Sequence, residues 1–255
     1  MILRRVIAHF RKQEWTAIFL DFLIVVVGVF FGLQVNNWNA ARGERAAEIG
    51  YLASLEEDVG MSIGSLETQI RSMEKQQAAR AALLSYSRDP EAALDAGERD
   101  RLVAHGLFYL PSLNLNQVTS ETLKSSGRLA TIKSPALVSE LQALSADIGG
   151  ALSRERDEIE VTYLFSDPML VGDFDMLGVF SQPNLSGAPP LKGLPKAATP
   201  APAPAMMKTT RFGNVLLYRS FFTSERLVFL QRVLERHRTI AALIEARQAE
   251  LGAAP

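Results

Sequence analysis

The chain has 255 residues, 47% of them hydrophobic and 22% charged, with 27 basic and 28 acidic residues and a formal charge of -1. That balance argues against a dedicated nucleic-acid binder, which needs a basic footprint, and the lack of cysteine excludes disulfides, thiolate metal sites and cysteine catalysis. The mean hydropathy of +0.06 hides one strongly apolar stretch near the N-terminus.

Residues 1–14 are basic and amphipathic. Leu3, Val6, Ile7 and Phe10 share one helical face, with the arginines off it. Residues 15–38 are read as a transmembrane helix. The run Thr16 to Leu33 holds 18 residues and one charge, Asp21. As a helix it covers about 27 Å, close to a hydrocarbon core of about 30 Å. The two tryptophans of the chain, Trp15 and Trp38, flank it and suit the two membrane interfaces. Arg4, Arg5, Arg11 and Lys12 precede the span, and only Arg42 and Arg45 follow closely. That excess predicts a cytoplasmic N-terminus and a main domain on the far side. The stretch Val215 to Leu230 fails as a second span because it carries Arg219, Glu225 and Arg226. The apolar run is too long for a signal peptide and lacks an A-x-A site after it.

Asp21 is the most informative single residue, because an acid inside a span is costly and marks function by default. At 100° per residue, Asp21, Val25, Gly28 and Gly32 fall on one stripe. Gly28-x-x-x-Gly32 is a small-residue helix contact motif. The expectation is a transmembrane interface, either in a homo-oligomer or with another inner-membrane protein.

Residues 39–182 read as a helical extracytoplasmic domain. Leu52, Leu55, Val59, Ile63, Leu66, Ile70 and Met73 follow a helix period, so the span continues outward until Asp89-Pro90 stops it. Asp95 looks like a cap for a helix bearing Leu102, Val103, Leu107 and Phe108, stopped before Pro111. A short helix near Ser120 ends at Gly127, read as a left-handed cap. Ser134-Pro135 opens a longer helix through Leu137, Leu141, Leu144 and Ile148. Residues 183–212 are proline-rich and read as linker. Residues 213–255 form a C-terminal helix packing on the domain. The fold class is therefore all-α: one transmembrane helix continuing into a four-helix extracytoplasmic bundle.

The text Asp21-x-x-Leu-Ile-Val-Val-Val-Gly28, then Gly32-Leu-Gln-Val-Asn-Asn-Trp-Asn39, pairs with Glu121-Thr-Leu-Lys-Ser-Ser-Gly127. This pairing resembles a bacterial family of uncharacterised single-pass inner-membrane proteins, with an acid in the span and a Leu-Gln-x-Asn-Asn-Trp-Asn exit. The resemblance covers residues 1–60 and 115–145. It implies one span and a helical periplasmic domain, and supplies no activity.

Searches for chemistry return little. No P-loop, zincin, nucleophile-elbow or dinucleotide motif is present. His9, His105 and His237 sit in separate segments. Asp167, Asp173 and Asp175 share what reads as a loop, without the calcium-binding pattern. Lys124 and Arg128 are weak candidates for a phosphate-like ligand. No catalytic residue, cofactor or metal is expected. The reading is a non-enzymatic inner-membrane protein in contact with lipid, acting by self- or partner association. A ligand-sensing module signalling through a membrane partner is the alternative, and a hydrolase with an unrecognised site the third.

Overall fold

The computed structural model describes residues 15–174, 176–181, 193–195 and 204–253. The segment 1–14, with Arg4, Arg5, Arg11 and Lys12, lies outside the described residues, as do Asp175 and most of the proline-rich stretch. Chain contacts divide the protein into two units, Met1–Gly50 and Tyr51–Pro255.

The described part is all-α. Helix α1 runs Trp15–Arg88 and passes from the first unit into the second. Within the first unit it holds an 18-residue window of mean hydropathy 1.4 with none of it buried, long and apolar enough to cross a membrane. It is the one such helix among the described residues.

The second unit is built on three long helices: α1 beyond Tyr51, Pro135–Val161 and Thr210–Ala253. In chain order the shorter elements are α2 (Ala96–Val103), a π-turn at Ala104–Phe108 and α3 (Val118–Ser125). The long helix Pro135–Val161 is α4, and a second π-turn (Thr162–Ser166) leads to α5 (Asp167–Asp173) and α6 (Met176–Phe180). Last come α7 (Pro204–Met207) and the long C-terminal helix α8 (Thr210–Ala253). Helix starts obey local chemistry. Asp95 accepts from the Glu98 amide, Ser134 from Leu137 ahead of Pro135, and Thr209 from Phe212. Gly127 follows α3 with φ of 68°, a conformation that favours glycine.

Between the first π-turn and α3 the second unit carries an extended strap. Residues 109–117 are not helical. They descend α1 in the direction opposite to its own. Pro111 O accepts from Gln69, Asn114 O from Ser65, and Asn116 both donates to and accepts from Ser62. Below them the Thr119 amide donates to Asp58. The four α1 residues are spaced 4, 3 and 4 apart, so one polar helix stripe receives the strap. Proline at 111 bars a helix there, and side chains of α1 stand in for the missing backbone partners. Helix α8 runs antiparallel to α1, since Gln248 reaches Glu56 while Ser220 meets Gln77, and antiparallel to α4, since Arg236 pairs with Glu140 and Arg226 with Glu155; α4 is therefore parallel to α1.

Two apolar clusters fill the interior. One joins Leu52, Leu55, Leu66 and Met73 of α1 to Leu137, Leu141 and Leu144 of α4 and Leu230, Val233 and Ile240 of α8. The other joins Leu83 and Tyr86 of α1 to Leu102, Leu107, Met169, Leu170, Val179, Met207, Phe212 and Leu216. Met207 and Phe212 lie inside the span 183–212 read as linker, and helix begins there at Pro204 and again at Thr210. The acids read as a loop, Asp167 and Asp173, are instead helical in α5, because Pro168 is compatible with a first turn. Asp173 pairs with Arg211.

Lys208 explains why residues just before α8 are ordered. Its ammonium donates to the carbonyls of Tyr86, Asp89 and Ala92, the open end of α1, and lies 3.8 Å from the centre of the Tyr86 ring. Lys208→Met is expected to destabilise the full chain by about 1–3 kcal/mol and to speed hydrogen exchange selectively at residues 86–92. Denaturant unfolding and exchange mass spectrometry in detergent read both.

Candidate functional site

Within the first unit, no other described residue packs on Val25, Gly28 or Gly32. Val25 is exposed, and a methyl group placed on Gly28 or Gly32 would meet no atom within 4 Å. Asp21 and Trp15 lie in α1, but their side chains are outside the described set. Trp38 is exposed, with the Arg42 guanidinium 5.6 Å from its ring centre.

In the second unit, the two apolar clusters are separated by a buried ionic layer that every long helix feeds. Helix α1 supplies Gln76 and Arg80, α4 supplies Glu155 and Glu158, and α8 supplies Arg219, Thr223 and Arg226. Arg226 is the central clamp. It donates to Glu158 at 3.1 Å, to Glu155 at 2.6 Å and to Pro111 O of the strap at 2.6 Å. Glu155 also accepts from the Leu113 amide at 2.8 Å. Arg80 donates to Gly106 O at 2.6 Å, Thr223 Oγ1 at 2.6 Å, Arg219 O at 3.3 Å and Gln76 Oε1 at 3.1 Å. Thr223 donates onward to Glu158. The first π-turn therefore has a purpose. It brings Gly106 against α1, where a methyl group would come within 3.4 Å of Arg80 Cγ, and turns its carbonyl onto the guanidinium. Burial, and next the charge of Arg219, push Arg80 down to about 9. Burial also lowers Arg219.

The opposite face of α8 exposes several apolar side chains among the described residues. Leu217, Tyr218, Phe221 and Val228 are exposed, with Phe221 at 58%. Beside them the second π-turn directs Tyr163, Leu164 and Phe165 outward while burying Thr162 and Ser166. The Phe165 and Tyr218 rings lie 5.6 Å apart. Leu164, Phe165, Arg211, Asn214, Val215 and Tyr218 line a groove of about 510 Å³. A π-turn adds a residue to the helical register, and such turns recur at functional positions. Exposed apolar side chains gathered this way mark an interaction surface more often than scattered ones do.

Other flagged groups are accounted for locally. Lys124 donates to Glu121 and Ser145, and Arg128 to Tyr51. His237 is buried with Nδ1 2.8 Å from Val233 O, and burial lowers its pKa. His105 sits in the first π-turn. Among the described residues, no three His, Cys, Asp or Glu side chains gather as a metal site.

No family model, curated protein or solved structure matches this chain. The functional reading therefore rests on its own residues.

The inner and outer faces of α8 make opposite stability predictions. Tyr218→Ser with Phe221→Ser should change unfolding free energy by no more than about 0.5 kcal/mol per site. Arg226→Met removes the guanidinium bonded to the buried Glu155 and Glu158 and should cost about 3–5 kcal/mol. Equilibrium denaturation of the three proteins side by side tests the contrast.

Proposed function

We propose that the protein is a non-enzymatic, single-span membrane protein whose helical domain works by association. In this reading residues 15–38 anchor it in a bacterial inner membrane, with the N-terminus cytoplasmic and the domain periplasmic. Two surfaces would carry the association: the stripe Asp21, Val25, Gly28 and Gly32 within the membrane, and the α8 face with its groove outside it. The observation that carries the proposal is the outward set of apolar side chains around Tyr218 and Phe221, exposed among the described residues. Apolar area hidden from water on docking contributes about 25 cal/mol per Å², so a face of several aromatic and aliphatic side chains is a useful docking surface. In the span the driving force differs. Close backbone approach at glycine, together with a shared acid, substitutes for hydrophobic burial. Partners are either a second copy or another inner-membrane protein.

Single-cysteine variants report on both surfaces, because the natural chain has no cysteine. Crosslinking in native membranes should trap a larger species from Gly28→Cys and Gly32→Cys and not from Phe30→Cys. It should trap one from Phe221→Cys and not from Arg71→Cys, on an exposed polar face. Monomer alone from every position would remove the proposal.

A further inference from the structure

Arg219 stands apart in the ionic layer. Its side chain is 0% exposed, yet among the described residues none accepts a hydrogen bond from Nε, Nη1 or Nη2. Its nearest carboxylate oxygen, Glu158 Oε1, is 4.0 Å away and is committed to Thr223. Arg226 Nε and Gln76 Nε2 in the same layer are also unpartnered, as is Ser166 Oγ on the adjoining π-turn. Each of these nitrogens is a donor, and Ser166 brings a hydroxyl. The layer is short of acceptors.

Charge points the same way. Three buried guanidinium groups, Arg80, Arg219 and Arg226, face two buried carboxylates, Glu155 and Glu158. Among the described residues, Asp167, half-buried at the start of α5, is a further acid felt by Arg219. It accepts no hydrogen bond from any of the three Arg219 guanidinium nitrogens. A buried guanidinium left without acceptors is among the costliest arrangements in a protein interior. A water molecule would satisfy donors but not the excess positive charge. The enclosure limits size, because Arg219 and Glu158 side chains are 0% and 1% exposed.

We propose that the α1–α4–α8 layer is a binding site for a small inorganic anion of chloride size, held by Arg219 with support from Ser166. The anion supplies the missing acceptor, neutralises the third arginine and joins the second π-turn to α8. This site is separate from the association surfaces above, and neither depends on the other.

The test uses the full chain in a non-ionic detergent. Its thermal midpoint is followed from 1 to 300 mM sodium chloride, with sodium gluconate holding ionic strength constant. Chloride and bromide should each raise the midpoint saturably, by roughly 5 °C, and gluconate should not. Arg219→Leu should abolish the dependence. Chlorine-35 line broadening by the wild type, absent from the same variant, gives a readout that does not involve unfolding. Melting curves that superimpose in chloride and gluconate, or an anion effect that survives in Arg219→Leu, would overturn the proposal. An ordered water in place of the ion gives the first of those results.

Discussion

The bond network of Arg226 is what the rest of the domain depends on. One guanidinium ties α8 to both glutamates of α4 and to the strap carbonyl at Pro111. Arg80 repeats the arrangement from α1, reaching the first π-turn and the α8 backbone. Apolar packing alone would let three amphipathic helices slide by a turn with little penalty, since leucines interchange readily. Buried charges do not interchange. A shift of one turn would face arginine with leucine and leave glutamate unpaired. The layer contributes little net stability, because desolvation offsets the ionic attraction. Its physical effect is on alignment.

That alignment divides α8 into two surfaces. The inner face carries Val215, Arg219, Thr223, Arg226 and Leu230, at spacings of 4, 4, 3 and 4. The outer face carries Leu217, Tyr218, Phe221 and Val228. Because the inner face is locked by ion pairs, the outer one is held on a rigid helix. The second π-turn matters for the same reason. It permits Ser166 to turn inward while Phe165 turns out beside Tyr218. An interaction surface built on fixed elements loses less conformational entropy when it is covered.

Much of this is legible in the sequence. The α1 stripe from Leu52 to Met73 is interior, the caps at Asp95 and Ser134 operate as read, and α1 stops beside Asp89-Pro90. The ionic layer was not. Glu155 and Glu158 lie in Ser-Arg-Glu-Arg-Asp-Glu, which has the composition of a solvated helix face. Arg219 and Arg226 served only to exclude a second span. The missed signal was register: on α8 those arginines fall in line with Val215 and Leu230. The strap was missed similarly. Asp58, Ser62, Ser65 and Gln69 recur at helical spacing beside the apolar stripe, but side chains that bond a distant backbone look like surface. Periodicity cannot reveal partners more than forty positions away.

Alignment can be measured directly. Arg154 of α4 contacts Glu225 of α8 at 3.5 Å, so cysteines there report the native register. Cysteines at Arg154 and Phe221, or at Arg154 and Val228, report a shift of about one turn. The comparison is between the natural layer and one in which Arg80, Glu158, Arg219 and Arg226 are all replaced by leucine or methionine. With the natural layer, a short thiol crosslinker should join only 154 to 225. With the apolar layer, the domain should stay folded and crosslink in both registers. Exclusive 154–225 crosslinking in the apolar variant would contradict the claim that buried charge sets the alignment.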